Sequence, residues 1–191
     1  MRLEPLSSDH GDGLWEASRA PEVWTWVSEQ PATRESFGRY IDAARAATAA
    51  RTEFAFATVD ARDGRPIGMT RYMALRPDDR ALEIGSTWLT PSAWRTGANV
   101  EAKLLQLGYA FETLRCIRVE LKTHAANARS RGAMERLGAT FEGIHRKHRI
   151  VPGIGVRDTA WYSVLDDEWP AVRAGLLARL GQGDRGSATG C

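Results

Sequence analysis

The sequence predicts an α+β fold built on a mostly antiparallel sheet flanked by helices. Three β-rich runs follow one another with turn signals between them, and beyond them apolar residues recur at helical spacing between further short strands. The 191 residues, 43% hydrophobic and 26% charged, are enough for one sizeable core and leave little room for large-scale disorder. A single domain is therefore expected over residues 1–180, with residues 181–191 as a disordered tail.

Met1 to Leu6 alternates weakly and stops at Ser7-Ser8-Asp9, a cluster suited to a helix N-cap. A short strand and a helix over 9–19 are predicted, ended by Pro21. Trp24-Thr25-Trp26 follows, two large aromatics that either plug the core or line a pocket. The next helix spans 33–50, with Glu35 in its first turn and an Ala-rich second half. Residues 54–59 and 67–75 read as strands joined by Asp63-Gly64-Arg65-Pro66, a strong turn signal. Pro77-Asp78-Asp79 leads to a third run over 81–89, giving an antiparallel meander.

After the meander the period changes. Val100, Leu104, Leu107, Phe111 and Leu114 recur at helical spacing, so an amphipathic helix is expected there. Residues 117–123 form a compact strand, and 128–137 a second amphipathic helix closed by Gly138. Two strands over 140–150 and 156–165 are joined by Pro152-Gly153-Ile154-Gly155. A last helix spans 168–180 and gives way to GQGDRGSATGC, too poor in apolar residues to join a core.

Composition narrows the function classes. The formal net charge is only +2, so any attraction to an anion must be local. Cys116 and Cys191 have neither a disulfide framework nor metal-ligand spacing, and Cys116 beside an apolar run reads as a core residue; no metal is expected. The N-terminus lacks an apolar signal region and no run of about 18 apolar residues occurs, so the chain reads as cytoplasmic, with no membrane partner.

The chemistry is concentrated at Trp88-Leu89-Thr90-Pro91-Ser92-Ala93-Trp94-Arg95-Thr96-Gly97-Ala98-Asn99. A strand runs there into a turn of small residues that opens a helix, which aims free backbone N–H groups and the positive helix end at one spot. Gly97 allows close backbone approach and Arg95 adds charge, so the turn suits a pyrophosphate. It lacks the lysine of a Walker loop and the spacing of a dinucleotide fingerprint.

The order of elements together with two junctions resembles the Gcn5-related N-acetyltransferase (GNAT) superfamily over nearly the whole chain. The family's pyrophosphate loop reads Gln/Arg-x-x-Gly-x-Gly/Ala, and here the corresponding residues are Trp94-Arg95-Thr96-Gly97-Ala98-Asn99. Trp94 and Asn99 depart from that pattern, with Arg95 as the substitute cation. Asn99-Val100-Glu101-Ala102-Lys103 resembles the branch of ribosomal-protein N-terminal (RimJ/RimL-type) acetyltransferases. The second junction is Asn127-Ala128-Arg129-Ser130, and likeness continues through Glu135 to Ala139, Glu142-Gly143 and Arg157 to Pro170.

The resemblance implies a centrally splayed sheet of six or seven strands with acetyl-CoA, or another acyl-CoA, lying in the V. The implied cofactor-binding residues are Leu89, Thr90, Trp94, Arg95, Thr96, Gly97, Ala98, Asn99, Asn127 and Ser130. A primary amine, such as a protein N-terminus, is the implied acceptor, with a backbone N–H near Leu89 holding the oxyanion. Amine attack requires loss of a proton and gain of one by the departing thiolate. Glu83 acting through water and His148 are the two base candidates, Ser130 and Tyr162 the two acids. Trp24 and Trp26 are expected to shape the acceptor pocket.

His145-Arg146-Lys147-His148-Arg149 is the strongest charge run, either a solvated strand face or an attractor of an acidic acceptor or the 3′-phosphate of coenzyme A. Without interleaved aromatics it is a poor nucleic-acid surface. A non-catalytic acyl-CoA sensor, use of succinyl-CoA, and assembly as a homodimer stay open.

Overall fold

The structure is a computed structural model that describes the backbone of residues 1–186 and the side-chain surroundings of residues 1–181. Strands β1 (Arg2–Pro5), β2 (Phe54–Val59), β3 (Pro66–Arg76), β4 (Ala81–Leu89), β5 (Arg118–His124), β6 (Thr140–Val151) and β7 (Gly155–Leu165) form one sheet. Its order is β1-β2-β3-β4-β5-β7-β6. Helices α1 (Gly11–Ala17), α2 (Arg34–Ala49), α3 (Ala98–Gly108), α4 (Ala128–Leu137) and α5 (Trp169–Gly186) flank it. All neighbouring strands run antiparallel except β4 and β5, which are parallel.

Strand alternation sends apolar side chains to two cores. On one face Tyr72, Leu82, Ile84, Val119 and Val164 pack with Leu107 of α3, Leu137 of α4 and Leu176 of α5. On the other, Ala55, Val59, Met69 and Trp88 pack with Leu14 of α1 and Phe37, Tyr40 and Ile41 of α2. Thr33 starts α2 with a reciprocal cap: its hydroxyl accepts from the Ser36 N–H at 3.1 Å while the Ser36 hydroxyl accepts from the Thr33 N–H at 2.9 Å.

The central pair opens the sheet. β4 and β5 are in register only at Ala81 to Glu83 against Arg118 to Glu120, although both strands run on. Against β3, Met69 faces Trp88 while Arg71 faces Gly85, so β4 carries one extra residue, and Ser86 there has φ +45°. Such a bulge bends and twists its strand, which carries the far half of β4 away from β5.

Two helix ends differ from expectation. The helix opened by α3 does not continue regularly to Leu114, because Tyr109–Thr113 forms a π-helical turn that buries Ala110 and Phe111. α5 continues past Leu180 to Gly186, so the first residues of the expected tail are helical; residues 187–191 lie outside the described residues. Among the described residues, no helix is long and apolar enough to cross a membrane.

Candidate functional site

The splay leaves a cleft of about 1930 Å³ that runs from the start of α3 through the V to the β6–β7 ribbon. At one end it is lined by the turn from β4 into α3. Gly97 caps α3 with φ +89°, and Arg95 also takes a left-handed backbone at φ +62°. A residue with a Cβ is strained in that region, so glycine at 97 fits the demand of the turn. The first-turn N–H groups of α3 have no intrahelical acceptor and point out of this end.

The loop is tied down by its own side chains. The Trp94 indole donates to the Leu89 carbonyl at 2.8 Å, and the Thr96 hydroxyl to the Ala93 carbonyl at 2.8 Å. Across the cleft Arg129, in the first turn of α4, lies over the Trp94 ring with its guanidinium 3.9 Å from the ring centroid. That contact places a cation where the loop itself supplies an aromatic, a cation–π arrangement. Asn127 caps α4: its Oδ1 accepts from the Ser130 N–H at 3.1 Å and its Nδ2 donates to Thr123 Oγ1 at 3.1 Å. Ser130 is thereby fixed on the cleft wall.

The other end is polar and aromatic. Glu83 accepts from Lys122 Nζ at 2.6 Å across the V, and that ammonium sits 4.1 Å from the centroid of Trp161. His148 Nδ1 lies 3.0 Å from Thr159 Oγ1, and its ring packs edge-on against Trp161. Burial, with the charges of Lys122, His145, Arg149 and Arg157, holds its pKa below the usual histidine value. The imidazole is therefore neutral near pH 7 and free to take a proton. Arg157, 9% exposed, also lines this end.

The floor holds a residue that the sequence did not single out as ionisable machinery. Lys103 of α3 is 4% exposed and donates to Gln106 Oε1 at 2.8 Å, Thr87 Oγ1 at 3.0 Å and Thr70 Oγ1 at 3.2 Å. With no carboxylate partner among the described residues, burial brings its pKa down to about 7.

The V thus brings together Glu83, Leu89, Trp94, Arg95, Thr96, Gly97, Asn99, Asn127, Ser130, His148 and Trp26 along one cleft. It does not bring Trp24, which is 8% exposed and packs against Phe37, Tyr40 and Trp88 while its indole donates to the Ser18 carbonyl at 2.8 Å. Trp24 is a core residue. Tyr162 is also misplaced by the sequence reading: it is 0% exposed, donates to Glu135 Oε1 at 2.9 Å and accepts from Arg131 Nε at 3.1 Å, away from the cleft. Thr90 spends its N–H on the Ile67 carbonyl at 2.7 Å, and Ala98 is buried with Leu89 and Ala93; neither lines the cleft. Cys116 is a buried core thiol whose pKa is pushed up by that burial.

Lys103, Lys122, Arg129 and Arg157 are cleft residues that sequence reasoning passed over. Lys103, Arg129 and Arg157 lay within stretches marked by family likeness but were given no role there, and Lys122 was only part of an expected strand. Among the described residues, no group of three His, Cys, Asp or Glu side chains is arranged to hold a metal ion.

The family described as "Acetyltransferase (GNAT) domain" matches residues 1–140. A solved GCN5-related N-acetyltransferase from Brucella melitensis is 40% identical, superposes with a TM-score of 0.86, and is matched over 93% of this chain and 80% of that one. A probable acetyltransferase of the GNAT family from Chromobacterium violaceum ATCC 12472 is 28% identical, with a TM-score of 0.80 over 88% of this chain and 84% of the other. A curated relative, "Putative ribosomal N-acetyltransferase YdaF" of Bacillus subtilis (strain 168), is 34% identical over 107 residues, which span 56% of this chain and 57% of that protein. A splayed sheet, a glycine-capped turn into α3 and these matches agree: the chain belongs to the GNAT acetyltransferase family.

Proposed function

We propose that the protein is an acyl-CoA-dependent N-acyltransferase that uses acetyl-CoA by default and a primary amine as acceptor, in the branch that resembles the ribosomal-protein N-terminal acetyltransferases. The observation that carries this is the single cleft joining a phosphate-type turn at Gly97 to a proton-accepting imidazole at His148. Arg95, Thr96, Gly97 and Asn99 would hold the pyrophosphate, with Arg129 beside them, and Asn127 and Ser130 the pantetheine arm. The residues fit: the turn leaves a left-handed glycine and first-turn N–H groups without intrahelical acceptors, of which that of Ala98 reaches Thr96 Oγ1 at 3.4 Å. When bound, an acyl-CoA supplies an activated acyl carbon, whose bond to sulfur breaks as the bond to the acceptor nitrogen forms.

The chain's part is to move two protons. An amine enters as an ammonium ion and must lose a proton before it attacks. His148 is the better placed acceptor, because it is neutral near pH 7, whereas the Glu83 carboxylate is engaged by Lys122 at 2.6 Å. Glu83 acting through water is the second reading, favoured by its place in the same cleft. Ser130, set at the start of α4, is the donor to the leaving thiolate. Trp26, 4.9 Å from His124 between ring centroids, forms part of the acceptor wall.

The test is thiol release from acetyl-CoA against a panel of amines and N-terminal peptides, with kcat/KM followed from pH 5 to 9. With His148 as base, kcat/KM climbs through a pKa below about 6.5, and His148→Gln removes that limb with a loss of about 100-fold or more at pH 7. A lost limb in Glu83→Gln, with His148→Gln unaffected, would hand the role to Glu83. Normal binding of acetyl-CoA without thiol release from any acceptor would instead make the protein an acyl-CoA sensor.

A further inference from the structure

The acceptor end of the cleft contains a cation with no carboxylate of its own among the described residues. Arg157 is 9% exposed, it lines the cleft, and its Nε is enclosed without a hydrogen-bond partner. Glu83, the carboxylate that acts on it, is already bound to Lys122 at 2.6 Å. Directly across the β6–β7 ladder stands Arg149, a second cleft-lining cation in register with it. Like charges facing each other across strands destabilise the pair, and an enclosed donor without an acceptor costs more. Four residues along β7, on the same face, the Trp161 indole N–H is also buried without a partner.

We infer that this end of the cleft is a receptor for a carboxylate on the substrate, with Arg157 as the group that binds it. The inference rests on the acyltransferase reading and adds the substrate's charge class to it. A carboxylate presents two oxygens in a plane, which a guanidinium meets with two parallel N–H bonds, and its negative charge would balance the buried Arg157 cation. The phosphate-type turn lies at the opposite end, at Gly97, so this cation is not needed for the pyrophosphate. The carboxylate has two sources: the acceptor, as in an amino acid or an acidic peptide, or the far end of a dicarboxylic acyl group.

Matched pairs of substrates separate the sources and need no variant. In the acceptor arm, acetyl-CoA is offered with phenylalanine or phenylalaninamide, and with N-terminal peptides carrying Glu or Gln. In the donor arm, succinyl-CoA is set against butyryl-CoA with an uncharged acceptor. In one arm the carboxylate member should show kcat/KM about 10- to 100-fold above its neutral twin. Arg157→Gln should collapse that preference and Arg157→Lys restore part of it. Equal rates within every pair, or a preference that survives Arg157→Gln, overturn the inference while leaving acyl transfer intact. If no donor and acceptor turn over, acyl transfer itself fails, and calorimetry decides on protein saturated with coenzyme A. N-acetylphenylalanine binding at least tenfold tighter than its amide upholds the receptor, and equal binding refutes it.

Discussion

A lysine ammonium that meets three neutral acceptors and no counter-ion is costly to bury, and Lys103 is in that position. Its pKa in the folded chain is about 7, against about 10.5 for a free lysine side chain. Between those values the unfolded chain binds the extra proton, so stability rises with pH; below pH 7 the full cost is present. Lys103→Met should therefore stabilise the protein at pH 6, by about 1–3 kcal/mol after the acceptors left behind are counted, with the gain vanishing toward pH 10. Urea unfolding across that range checks it, and a loss of stability at every pH would show that the three hydrogen bonds outweigh the burial. Nothing in the local sequence marks this lysine. Asn99 to Lys103 drew notice through family likeness, but the burial that shifts this lysine arises only when α3 packs onto β3 and β4, where Thr70 and Thr87 accept from it.

Strands and helices were legible where one period ran undisturbed. The third meander strand is found at 81–89 as read, and the second helix within one residue at each end. Irregularities were not legible, and they build the site. Alternation puts His145 and His148 on opposite faces of β6, yet a register shift between His145 and Arg149, with Lys147 at φ +49°, brings both rings onto Trp161. The bulge that opens the V sits beside a glycine, Gly85, but the left-handed residue is Ser86, which nothing in the sequence marks. Where backbone must approach backbone, a glycine does mark the place. A Cβ on Gly68 of β3 would lie 2.1 Å from the Trp88 carbonyl and 2.9 Å from the Leu89 Cα, both on β4. Gly68→Ala must push these strands apart just before the turn into α3. We expect a stability loss of about 2–4 kcal/mol and a weaker hold on acetyl-CoA in whatever folds. An unfolding midpoint within error of the parent would remove Gly68 from the set of residues that shape the V.

At the scale of the molecule, the formal net charge of +2 conceals a segregated surface. Arg95, Arg129, Arg136, Arg149, Arg157 and Arg179 all line the one cleft, while Glu29, Glu83 and Glu101 are its carboxylates. Much of the remaining charge is spent in exposed pairs such as Arg39 with Glu35 and Arg65 with Asp63, which contribute little to stability. The whole-chain balance could exclude a general attraction to polyanions, but it could not locate this concentration, because the arginines come from separate segments that only the fold assembles. A concave, cationic wall focuses field toward its mouth and speeds the arrival of an anion, and dissolved salt screens that effect beyond roughly 10 Å at 0.1 M. Acyl-CoA, with its phosphates, should be drawn in by it; an amine acceptor, arriving as an ammonium ion, should not. We expect KM for acetyl-CoA to rise about 3- to 10-fold between 50 and 500 mM NaCl. KM for an ammonium acceptor should not rise, because salt screens its repulsion from the arginines, and the unfolding temperature should move little. Steady-state kinetics with each substrate varied in turn measures both dependences. Parallel dependences would point to a general effect of salt on the protein, and a flat KM for acetyl-CoA would mean that the cleft binds its donor through hydrogen bonds and packing, with the arginines serving other contacts.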